Sequence, residues 1–116
     1  MDGGIEWIVD ALDCDPARLR DGQAVRALLD RIVDELELCV VGEPLVHGFG
    51  PPGGVTALYL LTESHLCCHT YPESGVATFN LYCCRERPPW PWEAALADAL
   101  GARRVVVRRE PRGGAR

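Results

Sequence analysis

Three β-rich runs lie almost end to end between positions 55 and 84, and they constrain the fold more than any other feature. They are Val55–Leu61 (VTALYLL), Ser64–Tyr71 (SHLCCHTY) and Val76–Cys84 (VATFNLYCC). Each is rich in β-branched and aromatic residues, and the gaps between them are two and four residues long. Connections this short cannot carry a crossover, so the runs must pair as antiparallel neighbours. Pro72–Gly75 is the turn between the last two.

The flanking segments add strands and helices around this core. Ile5–Leu12 sets Ile5, Trp7, Val9 and Ala11 on one face, the alternation of a strand, and Cys14-Asp15-Pro16 reads as a turn. From Gln23 to Leu38 the apolar residues Val25, Leu28, Leu29, Ile32, Val33 and Leu36 recur at helical spacing, with Asp21 or Gly22 as the cap. Cys39–Phe49 reads as a strand with an irregularity at Gly42–Pro44, and Gly50–Gly54 as a loop. Pro88, Pro89 and Pro91 lead into a short helix, Trp92–Leu100, which Gly101 stops. Arg103–Arg109 is a final strand and Pro111–Arg116 a frayed tail. The order β-α-β-β-β-β-α-β predicts an α+β fold: one domain over residues 1–116, with a mainly antiparallel sheet and two helices on one face. The opposite face keeps apolar residues with no helix to cover them, which points to a partner subunit, a homo-oligomer.

Composition removes several classes of function. At 116 residues, with 47% hydrophobic and 25% charged, the chain has the makings of one folded domain. A net charge of −5 argues against a nucleic-acid surface. All twelve basic residues are arginine, so no lysine exists to hold pyridoxal phosphate or to serve as a P-loop lysine. No apolar run approaches a membrane span, and the start, MDGGIEWIVD, lacks the basic region of a signal peptide. The expected location is cytoplasmic. Four of the six cysteines form the vicinal pairs Cys67-Cys68 and Cys83-Cys84, which cannot close long loops, and no C-x-x-C occurs. Reduced, buried thiols are expected. Residues 1–63 carry twelve acids against four arginines, a net of −8, and residues 64–116 five against eight, a net of +3. Surface solvation accounts for that asymmetry.

Reactive side chains concentrate in Glu63-Ser64-His65-Leu66-Cys67-Cys68-His69-Thr70-Tyr71-Pro72-Glu73. A serine or cysteine hydrolase would need a histidine beside the nucleophile and an oxyanion hole, but no G-x-S-x-G elbow is present. A metal site could draw on His65, His69 and Glu73. In a strand, however, residues four apart lie about 13 Å from each other. In the third reading, His65 and His69 are hydrogen-bonded strand residues without chemistry.

The stretch 54–84 also resembles the short prokaryotic S-adenosylmethionine decarboxylase proenzymes. The shared pattern is Glu63-Ser64-His65, then His69-Thr70-Tyr71-Pro72-Glu73, then Cys84. The likeness extends to GIEWIVDALDCD near the start and to the RRVVV strand, so it spans nearly the whole chain.

The resemblance implies self-cleavage at Glu63–Ser64 into a β chain, 1–63, and an α chain, 64–116. Ser64 becomes a pyruvoyl group, the only cofactor, with no metal. That group forms a Schiff base with the substrate amine and serves as the electron sink for loss of carbon dioxide. By the same likeness His69 moves the proton in processing, with Thr56 in support, and Cys84 protonates the product. Cys83 falls on the other strand face and reads as core. Phe49 and Tyr71 would sandwich the adenine and Glu73 would hold the ribose. Tyr71 stands where a Trp is common and Asn80 where an acid is common. Two such protomers pack sheet against sheet. Two alternatives stand beside this expectation: a pyruvoyl-dependent decarboxylase of ornithine or arginine, and a non-processing homologue acting as a regulatory partner.

Overall fold

The computed structural model describes residues 3–114. Six strands form one sheet: β1 (Gly3–Leu12), β2 (Leu45–Gly48), β3 (Val55–Leu61), β4 (Ser64–Tyr71), β5 (Val76–Cys83) and β6 (Arg104–Gly113). Their spatial order is β2-β3-β4-β5-β1-β6, and every neighbouring pair is antiparallel. The helices are α1 (Pro16–Leu19), α2 (Gly22–Glu35) and α3 (Trp92–Leu100), with a 3₁₀ turn at Pro72–Ser74.

All the helices cover the same sheet face. Val9, Ala11, Val55, Ala57, Tyr59, Leu61, Leu66, Cys68, Ala77, Phe79 and Leu81 alternate onto that face and are buried. They meet Val25, Leu28, Leu29 and Ile32 of α2, and Trp92, Ala95 and Leu96 of α3, in one core. Burying each large side chain there contributes about 1.5–3 kcal/mol. Phe79 and Trp92 touch at 5.9 Å between ring centroids, and the Tyr59 hydroxyl donates to Asp30 at 2.6 Å, which ties α3 and α2 to the sheet. The predicted α+β architecture is therefore the observed one.

Local signals account for most boundaries. The Asp21 carboxylate accepts from the Gln23 and Ala24 backbone N–H groups and caps α2. Gly101 is left-handed at φ 69° and ends α3.

Four segments differ most from expectation, while smaller shifts put the start of β1 at Gly3, the end of β5 at Cys83 and the start of β6 at Arg104. Asp15-Pro16 opens the short helix α1 rather than a plain turn, because Asp15 accepts from Ala17 N–H and proline suits the first helical position. The α2 helix stops at Glu35, where Glu37 turns left-handed at φ 55°. The expected strand Cys39–Phe49 shrinks to Leu45–Gly48, with one isolated bridge from Val40 to Leu61. Gly42 at φ 70° and Pro44 break the pairing between them. The last strand runs on through Pro111 to Gly113, into the segment expected to fray. Because β6 lies at the sheet edge, Pro111 can pair with Ile5 without interrupting a second ladder. Positions 115 and 116 of that tail lie outside the described residues.

Candidate functional site

Sheet register divides the expected site residues into two groups. The first gathers at the β3–β4 turn. Leu61 pairs with Ser64, so Thr62 and Glu63 form a two-residue connection, and the Glu63–Ser64 bond sits at its exit. Ser64 faces Cys83 directly across the β4–β5 ladder. Burial pushes the Cys83 thiol up from its ordinary pKa, while hydrogen bonds from Ser64 and Arg87 pull it back by less. Cys83 is thus a protonated core thiol at neutral pH, on the face Ser64 shares. Cys84 lies just past the end of β5 and is also buried. On the other side of the bond, the Glu63 carboxylate meets Arg85 Nε at 3.2 Å and an Arg87 terminal nitrogen at 3.4 Å.

The second group lies toward the far end of β4. Thr56 pairs with His69 in the register, and Thr56 Oγ1 sits 3.0 Å from His69 Nδ1. An open cavity of about 290 Å³ is lined by Phe49, Thr56, His69, Tyr71 and Glu73, among others. The Phe49 and Tyr71 rings are both exposed there. Every residue expected to bind substrate therefore shares one cavity with His69 and its threonine.

Thr70 builds the floor of that cavity. It is the one buried polar residue among those described. Its hydroxyl accepts from Val55 N–H at 2.9 Å and donates to the Leu19 carbonyl at 2.7 Å. Gly54 permits this approach, since a Cβ on it would come within 2.6 Å of the Thr70 carbonyl oxygen. The threonine of the His69–Glu73 motif thus fastens the start of β3 and the end of α1 to β4.

The two groups do not meet within one chain. Ser64 and His69 are five residues apart on β4, about 17 Å at strand rise, and they point to opposite faces.

His65 belongs to a third arrangement on the helix-free face. Its Nε2 lies 2.9 Å from the Asn80 side-chain oxygen, Asn80 donates to Glu6 at 2.6 Å, and Glu6 pairs with Arg112. The Asn80 hydrogen bond, with Arg112 behind it, holds the Glu6 carboxyl below its ordinary range against the opposing effect of burial. His65 also stacks on Tyr82 at 5.9 Å. The strand-residue reading thus fits His65, while His69 lines the cavity.

Other generic readings find little support. Among the described residues no cluster of three or more His, Cys, Asp or Glu could hold a metal ion. All six cysteines are free, with Cys14, Cys68, Cys83 and Cys84 buried and Cys39 exposed. Burial raises the Cys67 and Cys68 thiols, the opposite of what a cysteine nucleophile needs. Among the described residues no helix is long and apolar enough to cross a membrane.

Sequence reasoning missed Cys83 as the neighbour of Ser64, and it missed Arg85, Arg87 and Thr70. The Cys83 pairing was implicit in connection length. A four-residue turn that pairs Tyr71 with Val76 carries the register back to Ser64 and Cys83. The arginine contacts had no sequence signal, because Pro88 and its neighbours follow no periodic pattern.

The architecture defines a class first: a six-stranded antiparallel sheet backed by helices on one face, as in the crystal structure of the adenosylmethionine decarboxylase from Aquifex aeolicus VF5. That structure matches 99% of this chain and 94% of its own with a TM-score of 0.80, and at 24% identity the likeness speaks for the fold. Sequence carries the assignment further. Residues 5–113 match the family model for S-adenosylmethionine decarboxylase. The S-adenosylmethionine decarboxylase proenzyme of Parasynechococcus marenigrum (strain WH8102) is 37% identical over 106 residues, covering 90% of this chain and 81% of that one. The proenzyme of Thermotoga petrophila is 32% identical over 111 residues, covering 95% and 84%. The chain belongs to the S-adenosylmethionine decarboxylase family.

Proposed function

We infer that this protein cleaves itself at Glu63–Ser64 and then decarboxylates S-adenosylmethionine, supplying an aminopropyl donor for spermidine synthesis. The observation that carries the reading is the shared cavity of Phe49, Thr56, His69, Tyr71 and Glu73. Two exposed aromatic rings and a carboxylate suit a nucleoside: the rings stack on the base and the acid accepts from the ribose hydroxyls. A basic amino acid has no base to stack, so the same cavity disfavours ornithine and arginine.

The residues at the β3–β4 turn fit a serine-derived pyruvoyl group. Ser64 carries the hydroxyl that must leave from a β-carbon, and the bond preceding it lies in a surface turn. When present, the pyruvoyl supplies an electrophilic carbonyl next to an amide, which draws off the electrons released with carbon dioxide. Around it, Cys84 is the proton donor to the product carbon. His69, held by Thr56, moves the proton needed in processing.

Separation of Ser64 from His69 by about 17 Å along β4 supports a dimer. Two copies packed through the helix-free sheet faces would set one chain's β3–β4 turn near its partner's His69 face; the Ser64 side chain of the uncut chain points to the helix-covered face, so it turns once the Glu63–Ser64 bond is cut. Exposed Leu58 and Leu60 supply apolar surface on that face.

The deciding experiment is carbon dioxide release from purified protein with S-adenosylmethionine, ornithine and arginine supplied separately. Release from S-adenosylmethionine alone is expected. Release only from ornithine or arginine transfers the activity to the second substrate class. No release from a fully cleaved protein removes the enzymatic reading.

A further inference from the structure

Arg87 is placed unlike any other arginine among the described residues. Its side chain is 19% exposed, against 64% for Arg85. One terminal nitrogen donates to the Glu63 carboxylate at 3.4 Å, and the guanidinium's charge draws the Cys83 thiol's pKa back down against the effect of burial. Cys83 in turn faces Ser64. Arg87 therefore holds the Glu63 side of the bond directly. Its Nε–H is the one buried side-chain polar group without a hydrogen-bond partner among the described residues. An unmatched buried donor is costly, and a guanidinium cannot shed its proton to relieve it. Such a donor suits an anion that does not yet exist in the uncut chain.

Cleavage makes that anion. Ser64 Oγ bonds to the Glu63 carbonyl carbon, the carbon–nitrogen bond breaks, and the hydroxyl proton passes to the nitrogen, leaving an ester. A base then removes the Ser64 Cα proton. That electron pair forms the Cα–Cβ double bond, the Cβ–Oγ bond breaks, and Glu63 departs with both electrons as an α-carboxylate. Glu63 then holds two negative charges, its side chain and its new terminus. Like charges this close repel, which opposes the elimination unless cations face them. A partly buried guanidinium is screened less than an exposed one, and its planar fork can serve two carboxylates.

We propose that Arg87 is a positioning residue for self-cleavage: it clamps Glu63 and presents its free Nε–H to the α-carboxylate that leaves in the elimination step. This rests on the self-processing reading above and deepens it.

The test follows cleavage of freshly translated chain by mass spectrometry, with and without hydroxylamine. Hydroxylamine splits the ester and releases a 64–116 fragment that begins with an intact serine amine. For Arg87→Ala the pyruvoyl-bearing fragment should form at least tenfold more slowly, while the hydroxylamine-released fragment accumulates. Arg87→Lys, which keeps the charge and loses the fork, should fall between that variant and the parent. Arg85→Ala should slow cleavage less than Arg87→Ala does. Circular dichroism establishes folding, and if Arg87→Ala is unfolded the Arg87→Lys chain decides by the same two readouts. Parental rates in a folded Arg87 variant, or slow cleavage without ester accumulation, overturn the proposal. An equal or larger defect in Arg85→Ala overturns it as well. A parent chain that never cleaves refutes self-processing itself, a result separable from failure of the Arg87 assignment.

Discussion

Replacing Thr70 by valine tests how the cavity is held. The substitution keeps the branched shape and deletes one hydroxyl, which accepts from Val55 N–H at 2.9 Å and donates to the Leu19 carbonyl at 2.7 Å. Both partners are backbone groups, and the hydroxyl itself is buried. Stranding a buried donor and acceptor costs about 2–6 kcal/mol together. The methyl group that replaces the hydroxyl returns about 1 kcal/mol. A net loss of about 1–5 kcal/mol follows, which is a fall of about 0.5 M or more in the urea midpoint for a domain this size. The measurement belongs in a Ser64→Ala background, where one uncut chain unfolds and a two-state treatment applies. Because Val55 adjoins Thr56, the otherwise parental Thr70→Val enzyme should also lose affinity for substrate. An unchanged urea midpoint would refute the assignment of Thr70 as the tie between α1, β3 and β4.

Three further outcomes follow from the same geometry. Cys84→Ala should cleave normally and lose most turnover; turnover equal to the parent's would show that Cys84 is not the proton donor. Tyr71→Ala should raise KM for S-adenosylmethionine by about three- to tenfold, the worth of one aromatic stack, with a smaller change in kcat; an unaltered KM would remove the sandwich. Glu6 makes a pH prediction. Its folded pKa lies below the unfolded value of about 4.3, through the Asn80 hydrogen bond and Arg112. The stability it contributes is therefore present above that value and is lost as pH falls through the lower folded pKa. Glu6→Gln should be less stable than the parent at pH 7, and the gap should close below about pH 4; a gap that widened on acidification would contradict the sign.

The meander and the helix-backed face were legible because their signals are local and dense. Val55–Leu61 and Ser64–Tyr71 begin and end where alternation and turn residues say they should, and Trp92–Leu100 ends at Gly101. Boundaries were lost where tertiary context overrides composition. Cys39–Phe49 carries strand-like residues, yet Gly42 and Pro44 leave only a four-residue edge strand there. Pro111 looks like the start of a frayed end, yet an edge position lets it join the ladder. For the site, the motif named its residues, but their grouping depended on register. Parity puts His69 with Thr56 and the aromatic cavity, and Ser64 with Cys83. That Arg87 reaches Glu63 across twenty-four positions follows from how the chain returns after β5, which no spacing in the sequence encodes.

Cleavage at Glu63 would leave strands of both products interleaved in one sheet. β1, β2 and β3 precede the bond and β4, β5 and β6 follow it, so the pairs β3–β4, β1–β5 and β1–β6 all join the two products. The intact mass of the purified protein, taken under native and then denaturing conditions, therefore tests the central claim most directly. The account predicts a complex that denaturant separates into fragments 1–63 and 64–116, the second without a free α-amine. A single covalent chain of 12.7 kDa under denaturing conditions would contradict it.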